Sequence, residues 1–132
     1  MKPFLLSLFL LMLLSSCKDD FTTGIEGTVL FGTGDCMPVI IEENREYEKY
    51  DGRIFFIEQS QADSLGSQAF DYLKSMSPDE KIRNGKLSKE LPAGTYYVMP
   101  EEHFLTAPAN TIIITSDEIL HQDVKIWICT TY

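Results

Sequence analysis

The sequence predicts an all-β domain, an antiparallel β-sandwich of six or seven strands with one inserted α-helix. Runs of period two, rich in β-branched and aromatic residues, recur along the chain, and short Gly, Pro and Asn turns punctuate them. No strand–helix alternation of the kind that builds a parallel sheet is present. With 132 residues, 44% of them apolar and 23% charged, the chain can bury one core and has no room for a second domain.

Residues 22–31 alternate, with Ile25, Gly27, Val29 and Phe31 on one face and Glu26, Thr28 and Leu30 on the other. Gly32-Thr33-Gly34-Asp35 predicts the turn that ends this strand, and Cys36-Met37-Pro38 leads into Val39-Ile40-Ile41. Residues 42–51, rich in acids and tyrosine, read as a long exposed loop or ragged edge strand. Arg53-Ile54-Phe55-Phe56-Ile57-Glu58 is a buried strand by its branched and aromatic content. From Gln61 to Met76 the period changes: Ala62, Leu65, Ala69, Leu73 and Met76 recur every three or four residues. One amphipathic helix is expected there, ending near Ser77-Pro78. Asn84-Gly85 predicts a hairpin turn. Leu91-Pro92-Ala93-Gly94 turns into the strand Thr95-Tyr96-Tyr97-Val98-Met99, Ile112-Ile113-Ile114 is a further core strand, and residues 123–129 alternate with Val124, Ile126 and Ile128 inward.

Upstream of the sandwich, Lys2 precedes the apolar run from Phe4 to Leu14 and the small residues Ser15 and Ser16, the pattern of an export signal. The run is shorter than the roughly 20 residues a membrane span needs. Leu14-Ser15-Ser16-Cys17 resembles a bacterial lipobox, which implies cleavage before Cys17 and lipidation of its thiol and new amine. Several acyl chains on one residue make a stable anchor where one chain is marginal. Lys18-Asp19-Asp20 resembles the surface-export signal of Bacteroidota lipoproteins. The expected organisation is thus a signal peptide over 1–16, a lipidated Cys17 with a charged linker over 17–22, and the sandwich over 23–132. The expected location is the outer membrane, held through the N-terminal lipid, with its surface and periplasmic faces both open.

The formal charge is −9, and removing residues 1–16 takes away Lys2 and no acid. A nucleic-acid partner is excluded, because phosphate binding needs a basic footprint. With Cys17 lipidated, Cys36 and Cys129 remain as a pair in a compartment that permits disulfides, and they are expected to be bonded. Closing a loop of roughly ninety residues is worth about 4 to 5 kcal/mol in the chain-entropy view. Two free thiols, or two ligands of an incomplete metal set, are the alternatives. Cys129 shares its strand face with Lys125 and Trp127, so a bridge there belongs at the sandwich margin or on a bulge.

Gly24-Ile25-Glu26-Gly27-Thr28-Val29, followed much later by Gly85-Lys86-Leu87 and the corner Leu91-Pro92-Ala93-Gly94-Thr95-Tyr96, resembles the carboxypeptidase regulatory-like, or transthyretin-like, sandwich. The resemblance spans most of residues 22–128 and implies a final hairpin of the Ile112 and Val124 strands. It implies an accessory or interaction role, and it carries over no catalytic residues. The inserted helix departs from the plain version. At the corner, Pro92 presets φ, Gly94 tolerates unusual φ, and Tyr96 or Tyr97 can anchor the returning strand.

Catalytic motifs are lacking: His103 and His121 sit in no recognisable pattern, and there is no nucleophile elbow, zinc helix or phosphate loop. The chain is therefore expected to be non-enzymatic, with a small envelope hydrolase built on His103 or His121 as the weaker alternative. Calcium is the best metal candidate, through Asp35, Glu42, Glu43, Glu46 and Glu48, but no regular calcium loop exists and a solvated acidic face is expected. No cofactor or metal is assigned. Tyr47, Tyr50 and Trp127 are the candidate contacts for a protein, peptide or carbohydrate partner, since such rings suit wet interfaces. Packing over the sandwich edge, or of Trp127 against the helix, is the alternative role.

Overall fold

The computed structural model describes residues 21–36, 42–101 and 110–131. In chain order the elements are β1 (Gly24–Asp35), β2 (Glu48–Lys49), β3 (Gly52–Glu58), α1 (Gln59–Leu65), α2 (Phe70–Met76), β4 (Asp79–Ile82), β5 (Lys86–Glu90), β6 (Gly94–Pro100), β7 (Asn110–Ile114), β8 (Ile119–His121) and β9 (Val124–Thr131). The expected lipidation site Cys17, the run Val39-Ile40-Ile41 and His103 lie outside the described residues. Among those described, no helix is long and apolar enough to cross a membrane.

β1 is the axis of the first sheet. It does not stop at Phe31 as expected but runs on through Asp35, because β9 continues alongside it: Gly32 pairs with Trp127, Thr33 with Ile128 and Gly34 with Cys129. On one side β1 meets β5 over Gly24 to Thr28 and β2 over Leu30 and Phe31, both antiparallel. Val29 joins the two: its N–H donates to the Gly85 carbonyl at 2.8 Å and its carbonyl accepts from the Tyr50 N–H at 3.0 Å. On the other side β8 pairs with Gly24 to Glu26 and β9 with Val29 to Asp35, both parallel to β1. The sheet is therefore mixed, not wholly antiparallel. The chain returns to it from the opposite sheet after β7, so no hairpin dictates antiparallel entry.

The second sheet is antiparallel throughout, in the order β4-β3-β6-β7. Between the sheets, Ile25, Val29, Leu87, Val124, Ile126 and Ile128 meet Ile54, Phe56, Ile82, Tyr96, Val98, Ile112 and Ile114. The inward alternation of Val124, Ile126 and Ile128 is as expected. Asn84 and Gly85 take φ of 52° and 73°, a tight turn as predicted. Yet β4 pairs with β3 and β5 with β1, so this turn carries the chain from one sheet to the other, and only an Arg83–Lys86 bridge survives of the hairpin. The expected final hairpin is also absent, since β7 and β9 belong to different sheets. β7 is an edge strand that buries Ile112 and Ile114 and leaves Ile113 65% exposed.

A third layer covers the outer face of the second sheet. There Ile57 and Met99, with Phe55 and Tyr97 beside them, pack against Ala62 and Leu73. The single helix expected over residues 61–76 is broken: Gly66 takes φ of 77°, a short 3₁₀ turn covers Ser67–Ala69, and α2 starts afresh. Left-handed backbone ends a helix, and glycine enters it without a Cβ penalty. The break re-aims the apolar face, so Ala62 and Leu73 stay buried while Leu65 and Met76 turn outward.

Candidate functional site

The first sheet's outer face carries Gly32 and Gly34 on β1 beside Trp127 on β9. A Cβ at either glycine would come within 2.6 Å of the indole, so both positions need glycine for the ring to lie flat on the sheet. A strap of residues 42–47, which leads into the edge strand β2, passes over this face. Its Glu46 carbonyl approaches Gly32, Arg45 sets its guanidinium 4.7 Å from the Trp127 ring, and Tyr47 meets that ring edge-on with centroids 5.6 Å apart. Lys125, two residues before Trp127, places its ammonium 5.2 Å from the Tyr47 ring. Such cation–ring contacts are worth about 0.5 to 2 kcal/mol each, rising as water is excluded. The Trp127 Nε1 is buried without an acceptor among the described residues.

The Cys36–Cys129 disulfide forms as expected, with a Cα separation of 5.4 Å, and ties the end of β1 to β9. Both expected settings apply: it lies at the sheet margin, and the register steps from Gly34–Cys129 to Asp35–Thr131, so β9 carries an extra residue there.

Tyr47 and Trp127 are thus brought together, and Tyr50 is kept apart from them. Tyr50 packs on Phe31 at 5.6 Å, and its hydroxyl donates to the Arg53 carbonyl at 3.2 Å. It lines a cleft of about 250 Å³ with Phe31, Arg53 and Glu101, where Arg53 is engaged with Asp79. Tyr47 and Trp127 are both part-buried, and Trp127 lies against the strap rather than the helix.

His121 lies 74% exposed, with its Nδ1 3.9 Å from a Glu26 carboxylate oxygen. The shallow hollow around them is lined by Glu26, Gly27, His121, Gln122 and Asp123, and Asp123 accepts the Thr28 N–H at 3.0 Å. Among the described residues, no hydroxyl or thiol side chain lines this hollow, so none of them offers the histidine a nucleophile to activate there. Among the described residues, no three His, Cys, Asp or Glu side chains converge as a metal site would need. At the corner, the Tyr96 hydroxyl donates to the Pro92 carbonyl at 2.8 Å, which makes Tyr96 the anchor; burial pushes its phenol pKa up.

The helical layer supplies a surface that sequence periodicity hides. α1 and α2 diverge after the break at Gly66, and between them lies a groove of about 400 Å³ lined by Ser60, Gln61, Ser64, Leu65, Tyr72, Leu73 and Met76. Leu73 is its buried floor, while Leu65, Tyr72 and Met76 are 52%, 59% and 69% exposed. The layer is pinned from below. Lys74, buried, donates from Nζ to the Pro100 and Glu101 carbonyls at 3.0 Å each and stands 5.5 Å from the Phe55 ring. Burial lowers its pKa, against the opposing pull of Asp71 and Glu101. On α1, the Tyr97 hydroxyl donates to Asp63 at 3.0 Å and accepts from Gln59 at 3.2 Å.

No family model matches this chain, and neither does any curated protein or solved structure.

Proposed function

We propose that this chain is a lipid-anchored module of the bacterial outer membrane, a non-catalytic sandwich that works by binding and presents its two-helix layer as the contact surface. The observation that carries the binding role is the groove between α1 and α2, where three large apolar side chains stay exposed on a layer that is otherwise well pinned. An exposed apolar patch with a polar surround is the usual mark of an interaction site. A protein partner suits it better than a carbohydrate, because the rings of Tyr47 and Trp127 are engaged with each other and with Arg45 and lie apart from this groove. The membrane role rests on the export segment and on the resemblance of Leu14-Ser15-Ser16-Cys17 to a lipobox.

The test is fractionation and protease shaving of cells that express the native chain or Cys17→Ala. The native chain is expected with the outer membrane, and the variant is expected to lose that association. A variant that stays with the membrane would overturn the anchor. Digestion of the native chain on intact cells would place the sandwich on the surface, and protection until the outer membrane is permeabilised would place it on the periplasmic face.

A further inference from the structure

We infer that the Cys36–Cys129 margin is a redox-operated latch: an external dithiol opens the bond, the last residues of β1 part from β9, and Trp127 meets water while the sandwich stays folded. This goes beyond the binding role of the helical layer and stands without it.

Up to Phe31, β1 is held by its side chains: Ile25 and Val29 are buried in the core, and Phe31 packs against it. Past Phe31 the strand sends nothing inward. Gly32 and Gly34 have no side chain to bury, and Thr33 and Asp35 are exposed. Glycine also loses the most chain entropy when ordered in a strand. This stretch is therefore held by its ladder to β9, by the indole lying on it and by the bond. β9 differs, since Ile126 and Ile128 keep it on the core. The weaker partner is the end of β1, and the disulfide closes across that weak part.

The closed margin also bears an unfavourable term. The Trp127 Nε1 is buried with no acceptor among the described residues, and a donor kept from water without a partner retains its desolvation penalty. Once Gly32 and Gly34 leave the indole, water reaches that N–H, so opening relieves what closure imposes. One segment with two arrangements, biased by one bond, is what a redox switch requires. Both cysteines are partly exposed, and exposed disulfides are the labile ones. In the step, a thiolate of the dithiol attacks one bridge sulfur, and its second thiol then resolves the mixed disulfide. The protein takes up two electrons and two protons as two thiols, and the reductant leaves as its own disulfide.

The test uses the full Cys17→Ala chain in neutral detergent, where Cys36 and Cys129 are the only cysteines and Trp127 the only indole. Dithiothreitol serves as the dithiol, without denaturant. Both cysteines are expected to become alkylated, Trp127 emission to shift to the red with stronger acrylamide quenching, and the circular dichroism of the strands to persist. Hydrogen exchange should rise over residues 32–36 and not over Gly24 to Val29, and reoxidation should reverse each change. Gly34→Ala, whose Cβ falls 2.6 Å from the indole, should shift the dithiothreitol equilibrium toward the thiols about tenfold, because overpacking opposes the closed margin.

A bond that dithiothreitol reduces only in urea would overturn the latch, and so would an indole whose emission ignores reduction. Loss of the strand signal on reduction would show that the bond holds the whole sandwich rather than its margin. An unchanged equilibrium in folded Gly34→Ala would uncouple the seat of the ring from the bond and overturn the mechanism.

Discussion

Both sheets of this sandwich wear a cover on the outer face, and the covers are built to different ends. Over the first sheet, a strap lies on Trp127 with a disulfide at its margin, cations against its rings and glycines beneath, and the aromatic surface is closed over. Over the second, two short helices are pinned by Lys74, Tyr97 and Leu73, while Leu65, Tyr72 and Met76 face outward. Aromatic residues alone do not mark a contact surface. The rings singled out by sequence went mostly into the closed cover, and the open cover is lined by residues that read as core.

The closed cover should be the costlier to break. Cys129→Ser, which opens the bridge across 93 residues, is expected to lower stability by about 4 to 5 kcal/mol, read as a drop in the urea midpoint relative to the oxidised parent. A loss under about 1 kcal/mol would show that the strap and sheet hold themselves. Gly32→Ala places a Cβ against both the indole and the Glu46 carbonyl, and overpacking of this kind costs about 1 to 3 kcal/mol. Trp127 fluorescence should shift to the red as the ring is pushed off the sheet; an unchanged spectrum would contradict the close approach.

In the open cover, Lys74→Ala leaves the Pro100 and Glu101 carbonyls without this donor, at a cost of about 1 to 2 kcal/mol. Hydrogen exchange should rise in α2 before it rises in β9, and uniform loosening would sink the idea of a local pin. The lowered Lys74 pKa has a definite sign. The unfolded chain binds the proton more tightly, so the desolvation cost is present at neutral pH and is relieved as pH rises through the folded value. The smallest effect is expected at the corner, where Tyr96→Phe should cost about 1 kcal/mol. Here the sign reverses: Tyr96 has a raised pKa, so its contribution is full below the ordinary tyrosine value of about 10 and is lost as pH climbs above it. Tyr96→Phe should therefore lose less stability than the parent between about pH 9.5 and 11, measured by thermal melts.

Local chemistry was legible wherever it was sufficient. The alternation of Val124, Ile126 and Ile128, the Asn84-Gly85 turn, the corner at Pro92 and the Cys36–Cys129 pair could all be read from neighbouring residues and counting. Gly32-Thr33-Gly34-Asp35 was misleading, because glycine marks both a reversal of chain and a seat for a ring, and Trp127 is too distant in sequence to decide between them. The groove was hidden for a related reason. Ala62, Leu65, Ala69, Leu73 and Met76 share one face only if the helix is continuous, and Gly66 in left-handed backbone divides it.

By itself, then, the sequence determined the sandwich class, the inward faces of its strands, the acidity of the chain and the residues of the bridge. These depend on side-chain period, on composition and on the pairing of two cysteines, all of which are local or additive. Tertiary structure alone decided that β8 and β9 run parallel to β1, that the Asn-Gly turn crosses between sheets, and which cover is sealed and which is open. Those outcomes depend on which distant surfaces meet. A strand's period fixes which face is apolar, but the neighbour that buries it is chosen only when the whole chain packs.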